Sequence, residues 1–472
     1  MANSHTEPTE KPQAPATQAK ATSSHTSHHP QALNWAQARS DQQLIADATA
    51  LFTETFGGKP DGVWAAPGRV NLIGDHVDYA GGVSIPFALP HVTAVAARRR
   101  TDDTISIVSL PPVAATENLS VTAEFEDDAT GSDEANSSPT HPEALRTTVA
   151  LADVGPGHPA DWSGYIVGTI WAGHQNGAIP SSDQHGNGLD LALISDVPLG
   201  SGLSSSAALE CSAVLAAREL AAPEAPLDQA TYQLLIDAAI RAENDVVGAS
   251  TGGLDQRSSL LATPGHALAI DFRTNVVNQV ACDVESDGLA FVVADTNAPH
   301  SLSDGQYASR RGVIDAVTAH AGASSLLDID DPIAAAASWA ETDESTVTPE
   351  VARLRVTHVV DETARTRRAQ DALNSKNWKG FGRLMNESHE SLRDLYDVST
   401  PELNSARDAA LDAGAVGARM TGGGFGGSII ALVPTERITA VAQEIHQRTV
   451  DKDLPNPTFL AITPAAGARR LV

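Results

Sequence analysis

Residues 198–208, PLGSGLSSSAA, carry the strongest structural signal in the chain. They follow an apolar run at 189–194 that is typical of a buried strand, and they lead into LECSAVLAAREL, whose apolar residues share one helical face. The order is therefore strand, glycine-rich loop and helix amino terminus, where free N–H groups and partial positive charge suit an anion. No Lys follows, so this is not the common GxxxxGK[ST] phosphate loop, and glycine and serine alone leave an ordinary turn open.

Other strand-like runs alternate with helical patterns along the chain. They span residues 65–70, 289–294 and 428–433, and a helical pattern begins at Gln42. No repeat of 20–50 residues is present, which excludes solenoids and propellers. The mixture predicts an α+β or α/β chain, and we take α+β as the fold class.

The composition excludes several classes of function and partner. The 472 residues suit two or three domains, and 42% apolar residues are enough for large cores. A formal charge of −28 argues against nucleic-acid and membrane-surface partners, but a locally positive site for a small phosphorylated ligand stays open. Only Cys211 and Cys282 occur, too few for a disulfide framework or a cysteine zinc site. Without a secretion signal or an apolar run of about 18 residues, we expect a cytoplasmic protein.

Two regions lack a periodic apolar pattern. Residues 1–40 are rich in Ala, Ser, Thr, Pro and Gln, which predicts a disordered tail. Residues of about 113–158 include EFEDDATGSDEANSSPTHPEA, which we interpret as an acidic surface insertion, with an acidic binding tail as the alternative. Around these regions we place an amino-terminal domain at 41–275 and a carboxy-terminal domain at 276–472.

A segment at residues 67–82, PGRVNLIGDHVDYAGG, combines an Arg, two Asp, a His, a Tyr and four Gly. We call it the signature segment. Its carboxylates and imidazole suit a pocket for several sugar hydroxyls, because each hydroxyl both donates and accepts a hydrogen bond. A turn-rich loop with solvated charges explains the same residues, and both interpretations stay open.

Two more glycine-containing segments stand out. Residues 422–427, the glycine motif, hold five glycines in six positions, which favours close backbone approach to a ligand or to another loop over a mere turn. Residues 243–256, ENDVVGASTGGLDQ, place Asp255 after a double glycine, from where a carboxylate can project into a site. For that segment alone, an ordinary loop or an N-cap aspartate is the better interpretation.

Taken in this order, the motifs resemble those of the GHMP small-molecule kinases. Within that superfamily, the signature segment resembles the galactokinase signature GRVNLIGEHTDY, with Asp75 for Glu and Val77 for Thr. The loop at 198–206, here named the serine loop, begins a match to PLGSGLSSSAALE without a gap, and the glycine motif is similar to the carboxy-terminal motif. Residues 297–311 and 385–394 are also similar to galactokinase segments, so that the resemblance spans about residues 65–432.

The resemblance implies a two-lobed fold, with a ribosomal-protein-S5-like amino-terminal domain, a ferredoxin-like carboxy-terminal domain and the active site in the cleft between them. It implies catalytic roles for Asp255, as the base, and for Arg69 beside it, which is expected to keep that carboxylate ionised. The implied sugar-binding residues are Asp75, His76, Asp78, Gly252 and Tyr307. The implied nucleotide-binding residues are Gly200, Ser201, Gly202, Leu203, Ser204, Ser205, Ser206 and Ser109. Ser206 and Glu243 are implied as Mg²⁺ ligands.

The function implied by the resemblance is ATP-dependent phosphorylation of galactose at its anomeric hydroxyl, the first committed step of galactose catabolism. ATP would be the co-substrate with Mg²⁺, and we expect a monomer without nucleic-acid or membrane partners. One alternative is a kinase of the same fold for another sugar, such as N-acetylgalactosamine or arabinose. Another is a catalytically silent sugar and ATP sensor, against which the intact serine loop, Arg69 and Asp255 argue.

Overall fold

The computed structural model describes residues 32–110, 144–181, 186–298 and 305–472. The expectations for residues 1–31 of the tail and for residues 113–143 of the acidic insertion lie outside these ranges. None of the described helices is long and apolar enough to cross a membrane.

The strands of the described residues vary from two to fourteen residues. In chain order they are β1 (Asn34–Trp35), β2 (Gly62–Asn71), β3 (Val83–Ser84), β4 (Pro86–Arg99), β5 (Thr104–Leu110), β6 (Leu145–Ala150), β7 (Leu189–Ser195), β8 (His266–Asp271), β9 (Val276–Ala281), β10 (Leu289–Asp295), β11 (Gly417–Thr421), β12 (Ser428–Pro434), β13 (Thr458–Ile462) and β14 (Arg469–Arg470).

The α-helices of the same ranges lie mainly between strands. In chain order they are α1 (Asp41–Phe56), α2 (Ser163–Asn176), α3 (Ser205–Ala221), α4 (Gln229–Arg241), α5 (Leu254–Leu261), α6 (Gln306–His320), α7 (Pro332–Ala340), α8 (Pro349–Asn374), α9 (Trp378–Asp394), α10 (Pro401–Asp412) and α11 (Ile438–Asp451). A π-helical turn, Ala242–Val247, continues α4.

The described strands form three sheets. The amino-terminal lobe holds a six-stranded sheet in the order β14-β2-β4-β7-β5-β6, and the carboxy-terminal lobe holds a five-stranded sheet in the order β1-β13-β10-β12-β11. A small sheet of β3, β8 and β9 accompanies them. Most pairs are antiparallel, whereas β5 with β7 and β1 with β13 are parallel. Sheets that are mainly antiparallel, combined with helices, confirm the predicted α+β class.

The apolar patterns located the elements well. The four strand-like runs are β2, β7, β10 and β12, each within three residues of its predicted ends. The helix predicted from Gln42 is α1, which buries Leu44, Ala48, Leu51 and Phe52 at three- and four-residue spacing. Ser40 begins it with a capping box, in which its side chain and that of Gln43 bind each other's backbone N–H groups.

Two sequence-based boundaries need correction. The tail prediction extended to residue 40, but Asn34–Trp35 is a strand paired with β13, and the N–H of Ala36 donates to the carbonyl of Phe459 at 2.9 Å. The insertion prediction extended to residue 158, but β6 pairs with β5 over six residues. Short or polar strands of this kind carry little apolar signal, so that only the pairing partner reveals them.

The domain boundary at residues 275 and 276 stays a prediction. It falls where the turn of the β8–β9 hairpin meets β9, and the two strands pair in register from His266 with Ala281 to Asp271 with Val276. The two large sheets also share a buried cluster, in which the rings of Phe87 on β4 and Phe291 on β10 lie 5.4 Å apart. This packing brings together the loops that follow β2, β7 and β11, which hold most of the signature segment, the serine loop and the glycine motif.

Candidate functional site

Asp255 lies in the first turn of α5, directly after the double glycine. Gly253 adopts a left-handed conformation (φ 87°) that turns the chain into the helix and leaves the Asp255 side chain 22% exposed. Arg69 approaches the carboxylate from β2, with its Nε and Nη2 atoms each 2.7 Å from Oδ1. Arg69 itself is only 8% exposed. The structure therefore places the predicted base and the predicted catalytic arginine in direct contact.

The serine loop completes the surroundings of Asp255. The hydroxyl of Ser204 donates to Oδ2 of Asp255 at 2.6 Å, and Nη1 of Arg69 donates to the carbonyl of Gly202 at 2.6 Å. Together, the two Arg69 nitrogens at Oδ1 and the Ser204 hydroxyl at Oδ2 occupy three of the roughly four acceptor positions of the Asp255 carboxylate, which leaves one for a substrate hydroxyl. Ser204 has a left-handed backbone (φ 60°), and this turn aims its hydroxyl at Asp255.

The serine loop divides into inward and outward groups. Ser201 and Leu203 are each 1% exposed, and the Ser201 hydroxyl donates to the carbonyl of Pro198. Only the backbone of these two residues remains for the predicted nucleotide contact. Gly200 is exposed, and Ser205 and Ser206 are half-buried at the first turn of α3.

The glycine motif packs against the serine loop. A side chain at Gly422 would place its Cβ 2.9 Å from the carbonyl oxygen of Gly202, and one at Gly427 would place it 3.0 Å from that of Ser201. The Ser428 hydroxyl also donates to the carbonyl of Ser201 at 2.7 Å. The prediction of close backbone approach to a ligand or another loop is confirmed, because here the neighbour is the serine loop.

Glu243 lies in the π-helical turn and faces α3. Its Oε1 accepts a hydrogen bond from the hydroxyl of Ser206 at 3.3 Å, and its Oε2 accepts one from Nε2 of Gln256 at 2.6 Å. Burial, and then the charge of Asp255, raises the pKa of Glu243 to about 7. The two predicted Mg²⁺ ligands are thus adjacent. The described ranges hold no group of three or more His, Cys, Asp or Glu side chains suited to a metal ion.

Asp75 is held by the protein on both carboxylate oxygens. Oδ1 accepts a hydrogen bond from the N–H of Gly422 at 3.2 Å, and Oδ2 lies 2.5 Å from Nη2 of the fully buried Arg419, as an ion pair outside hydrogen-bond geometry. Burial raises the pKa of Asp75, and the charge of Arg419 opposes that rise. Asp75 therefore joins the signature segment to the glycine motif.

His76 stands at the end of a chain of hydrogen bonds. Its Nε2 lies 3.0 Å from the carbonyl of Gly423, which only accepts, so Nε2 carries the proton and Nδ1 accepts from the hydroxyl of Tyr79 at 3.1 Å. The Tyr79 oxygen in turn accepts from the hydroxyl of Tyr396 at 2.7 Å. Burial lowers the pKa of His76 to about 3, so the ring is neutral. Both ring nitrogens are bound by the protein, and the ring serves as a wall.

Asp78, Gly252 and Tyr307 form another side of the site. A side chain at Gly252 would place its Cβ 2.2 Å from Oδ2 of Asp78, so glycine is required there. The ring of Tyr307 lies 5.2 Å from that of His76. Burial, and then the charge of Asp255, raises the pKa of Asp78 to about 6.

One predicted residue stays apart. Ser109 lies on β5 opposite Leu193 of β7, and no hydrogen bond among the described residues joins its side chain to the serine loop. Its predicted nucleotide contact is the one that this arrangement supports least.

Several residues of the site were missed by the sequence analysis. The available signals were their positions next to quoted motifs and the scarcity of tyrosine, since three of the chain's five tyrosines gather at His76. The missed residues are Tyr79, Glu210, Gln256, Tyr396 and Arg419.

Replacing Asp78 by Asn tests the electrostatics of this site. Since the pKa of Asp78 is raised from 3.8 to about 6, the folded protein takes up a proton more readily than the unfolded chain, and its unfolding free energy falls as pH rises between these values. Asn cannot ionise, so the variant does not lose this unfolding free energy as pH rises. We therefore expect Asp78→Asn to melt about 2 °C above wild type at pH 7.5 and at the wild-type temperature at pH 4. Thermal unfolding at both pH values measures this.

The exposed Asp315 on α6 supplies the control. Asp315→Asn is expected to change the melting temperature little at either pH. A gain for Asp78→Asn that is equal at pH 4 and pH 7.5 would contradict the assigned pKa shift.

Comparison with known proteins gives matches over most of the chain. A family model described as the galactokinase galactose-binding signature matches residues 50–99. Models for the GHMP kinase amino-terminal domain and carboxy-terminal region match residues 165–263 and 369–451.

Curated relatives and a solved structure agree with these models. A galactokinase of Streptomyces coelicolor is 39% identical over 421 residues, which cover 89% of this chain and 97% of that protein. A galactokinase of Bos taurus is 34% identical, over 86% of this chain and 92% of its own length. The crystal structure of Lactococcus lactis galactokinase in complex with galactose superposes with a TM-score of 0.73 at 27% identity, over 90% of this chain and 99% of that one.

Proposed function

Since this chain belongs to the galactokinase family of the GHMP kinases, we propose that it transfers the γ-phosphoryl group of ATP to the anomeric C1 hydroxyl of galactose. The products are galactose 1-phosphate and ADP. The observation that carries the proposal is the Asp255 carboxylate, which is bound by Arg69 and Ser204 and keeps one acceptor position free beside the serine loop.

Asp255 acts as the base in this reaction. The C1 hydroxyl of galactose donates its proton to the carboxylate while its oxygen forms a bond to the γ-phosphorus, and the bond from that phosphorus to the bridging oxygen of ADP breaks. A loose transition state needs little nucleophilic push, so positioning of the two reactants matters as much as proton removal. Arg69 supports both tasks, because the same guanidinium orients Asp255 and binds the serine loop.

The phosphates of ATP bind at the amino terminus of α3. Free N–H groups of the first helical turn point toward this end, and the backbone of Gly200 and Gly202 allows close approach. Ser205 and Ser206 add hydroxyl donors. This local set of donors explains how an acidic protein of charge −28 binds a polyanion.

Ser206 and Glu243 fit a Mg²⁺ ion. A hydroxyl and a carboxylate oxygen 3.3 Å apart are hard donors, and Mg²⁺ commonly binds one or two carboxylates together with substrate phosphates and water. When bound, the ion supplies neutralisation of phosphate charge during transfer. Its positive charge would also offset the burial cost that raises the pKa of Glu243.

The sugar occupies the space between Asp255 and the signature segment. Asp78 accepts from sugar hydroxyls, Gly252 lets the chain pass close to Asp78, and Tyr307 and His76 form an aromatic wall. Asp75 backs this wall, because Arg419 and Gly422 hold its carboxylate.

The protein is a cytoplasmic monomer in this proposal. Both cysteines are buried and free, which suits a reducing compartment. The large apolar residues that are exposed in the described ranges, such as Leu145, Leu199 and Val450, belong to different elements and loops.

An ADP-release assay with Mg·ATP and a panel of sugars tests the function. The expected result is the highest kcat/KM with galactose. A clear preference for N-acetylgalactosamine or arabinose would reassign the substrate within the same fold. Tight galactose binding without ADP release would instead support the catalytically silent sensor.

A further inference from the structure

Glu210 lies beneath the site on α3, one helical turn after Ser206. It is fully buried, and its Oε2 accepts a hydrogen bond from Nε2 of Gln256 at 2.9 Å. The same Nε2 donates to Oε2 of Glu243 at 2.6 Å. One amide group therefore joins two carboxylates, and only Glu243 reaches the predicted cation site.

The position of Glu210 is costly for the fold. Its Oε1 has no hydrogen-bond partner among the described residues, nor does Oε1 of Gln256. Within the same ranges no Arg or Lys forms an ion pair with Glu210. Burial of a carboxyl group without a countercharge, and with one oxygen unsatisfied, costs folding free energy, so packing alone does not explain a glutamate here.

The geometry does explain what Glu210 accomplishes. The amide of Gln256 carries two N–H groups on one side and an acceptor oxygen on the other. While one N–H is bound by Glu210, the second N–H faces Oε2 of Glu243. With the amide reversed, Oε1 of Gln256 would stand against the Glu243 carboxylate and repel it. Glu210 therefore fixes the direction of the amide, and the amide leaves Oε1 of Glu243 directed at Ser206.

We propose that Glu210 is a positioning residue for the cation site: through Gln256 it holds the Glu243 carboxylate in the orientation that, together with Ser206, accepts a divalent cation. This inference rests on the proposed function of Glu243 and Ser206. It adds a residue that touches neither the cation nor the nucleotide and acts only through another side chain.

Binding of ADP to the full chain, measured by calorimetry with and without Mn²⁺, tests the proposal. In Glu210→Met we expect Mn·ADP to bind about tenfold more weakly than in wild type, because loss of such outer contacts typically costs 10- to 100-fold in metal affinity. ADP without a cation should bind equally well in both. The variant should melt no lower than wild type, since an apolar side chain replaces a buried carboxyl group with an unsatisfied oxygen.

Glu210→Gln is the conservative variant. Its side-chain oxygen accepts the same N–H of Gln256, so we expect Mn·ADP affinity to recover to within about threefold of wild type. Glu219→Met is the matched control on α3, because Glu219 accepts a hydrogen bond from Nε1 of Trp64, whereas Gln256 Nε2 binds Glu210 and Glu243. It should leave Mn·ADP affinity unchanged.

The outcomes separate this inference from the proposed function. If Glu243→Gln binds Mn·ADP as wild type does, the cation pair is wrong, and the role of Glu210 is overturned with it. If Glu243→Gln loses affinity while Glu210→Met does not, the positioning role alone is overturned. An equal loss for ADP with and without Mn²⁺ in Glu210→Met, together with a lower melting temperature, shows a structural role and also overturns it.

Discussion

Asp255→Asn is expected to lower kcat by about three orders of magnitude, within the range that a positioned general base contributes, while the Kd for galactose stays within about threefold of wild type. The amide has nearly the size of the carboxylate and can still bind Arg69 and Ser204, so the shape of the site is preserved. What it lacks is the capacity to take the proton of the C1 hydroxyl. Single-turnover kinetics and calorimetric titration with galactose measure the two quantities separately.

Asp190 provides the control for this variant. It is also a carboxylate bound by arginine, in this case by both Arg98 and Arg100, but it is more deeply buried and lies on β7 away from the site. Asp190→Asn should lower the melting temperature while kcat stays within about twofold, because a broken buried ion pair costs stability alone. If Asp255→Asn keeps more than a tenth of the wild-type kcat, Asp255 is not the base.

The strands and the loops of the site were accessible to sequence analysis because their signals are local. The apolar runs that became β2, β7, β10 and β12 have the length and composition of buried strands. The density of glycine at residues 422–427 indicated close approach before any neighbour was known. In the structure Gly422 meets Gly202 there, since only glycine leaves room for two backbones.

The remaining features depend on pairs of residues that are distant in sequence. Arg419 and Asp75 form an ion pair across more than 300 residues, and nothing near either one signals the other. Ser204 belongs to a loop that resembles a phosphate site, yet its hydroxyl binds Asp255 because a left-handed backbone turns it inward. Both contacts form because the packing of the two sheets brings distant loops together. A local residue pattern carries no information about that packing.

The net charge of −28 describes the chain as a whole and misleads about the site. Arg69 and Arg419 are both buried at the site, but each is paired with a carboxylate of the protein, Asp255 and Asp75. The positive potential for a phosphate therefore comes from the free N–H groups at the amino terminus of α3. Surface carboxylates oppose these donors only weakly, because salt screens their field.

Arg69→Met is expected to lower kcat by about two to three orders of magnitude, the range seen when a preorganised donor to developing charge is removed. Methionine has a similar length but no charge, so it releases Oδ1 of Asp255 and the carbonyl of Gly202 together. Arg69→Lys should recover only part of the rate, because an ammonium keeps the charge but cannot bind both groups as a planar guanidinium does.

Arg98→Met, which breaks the ion pair with Asp190, should leave kcat within about twofold while lowering stability. Equal rates for the Lys and Met variants of Arg69 would mean that its charge contributes nothing, and a kcat above a tenth of wild type in Arg69→Met would exclude it from the reaction.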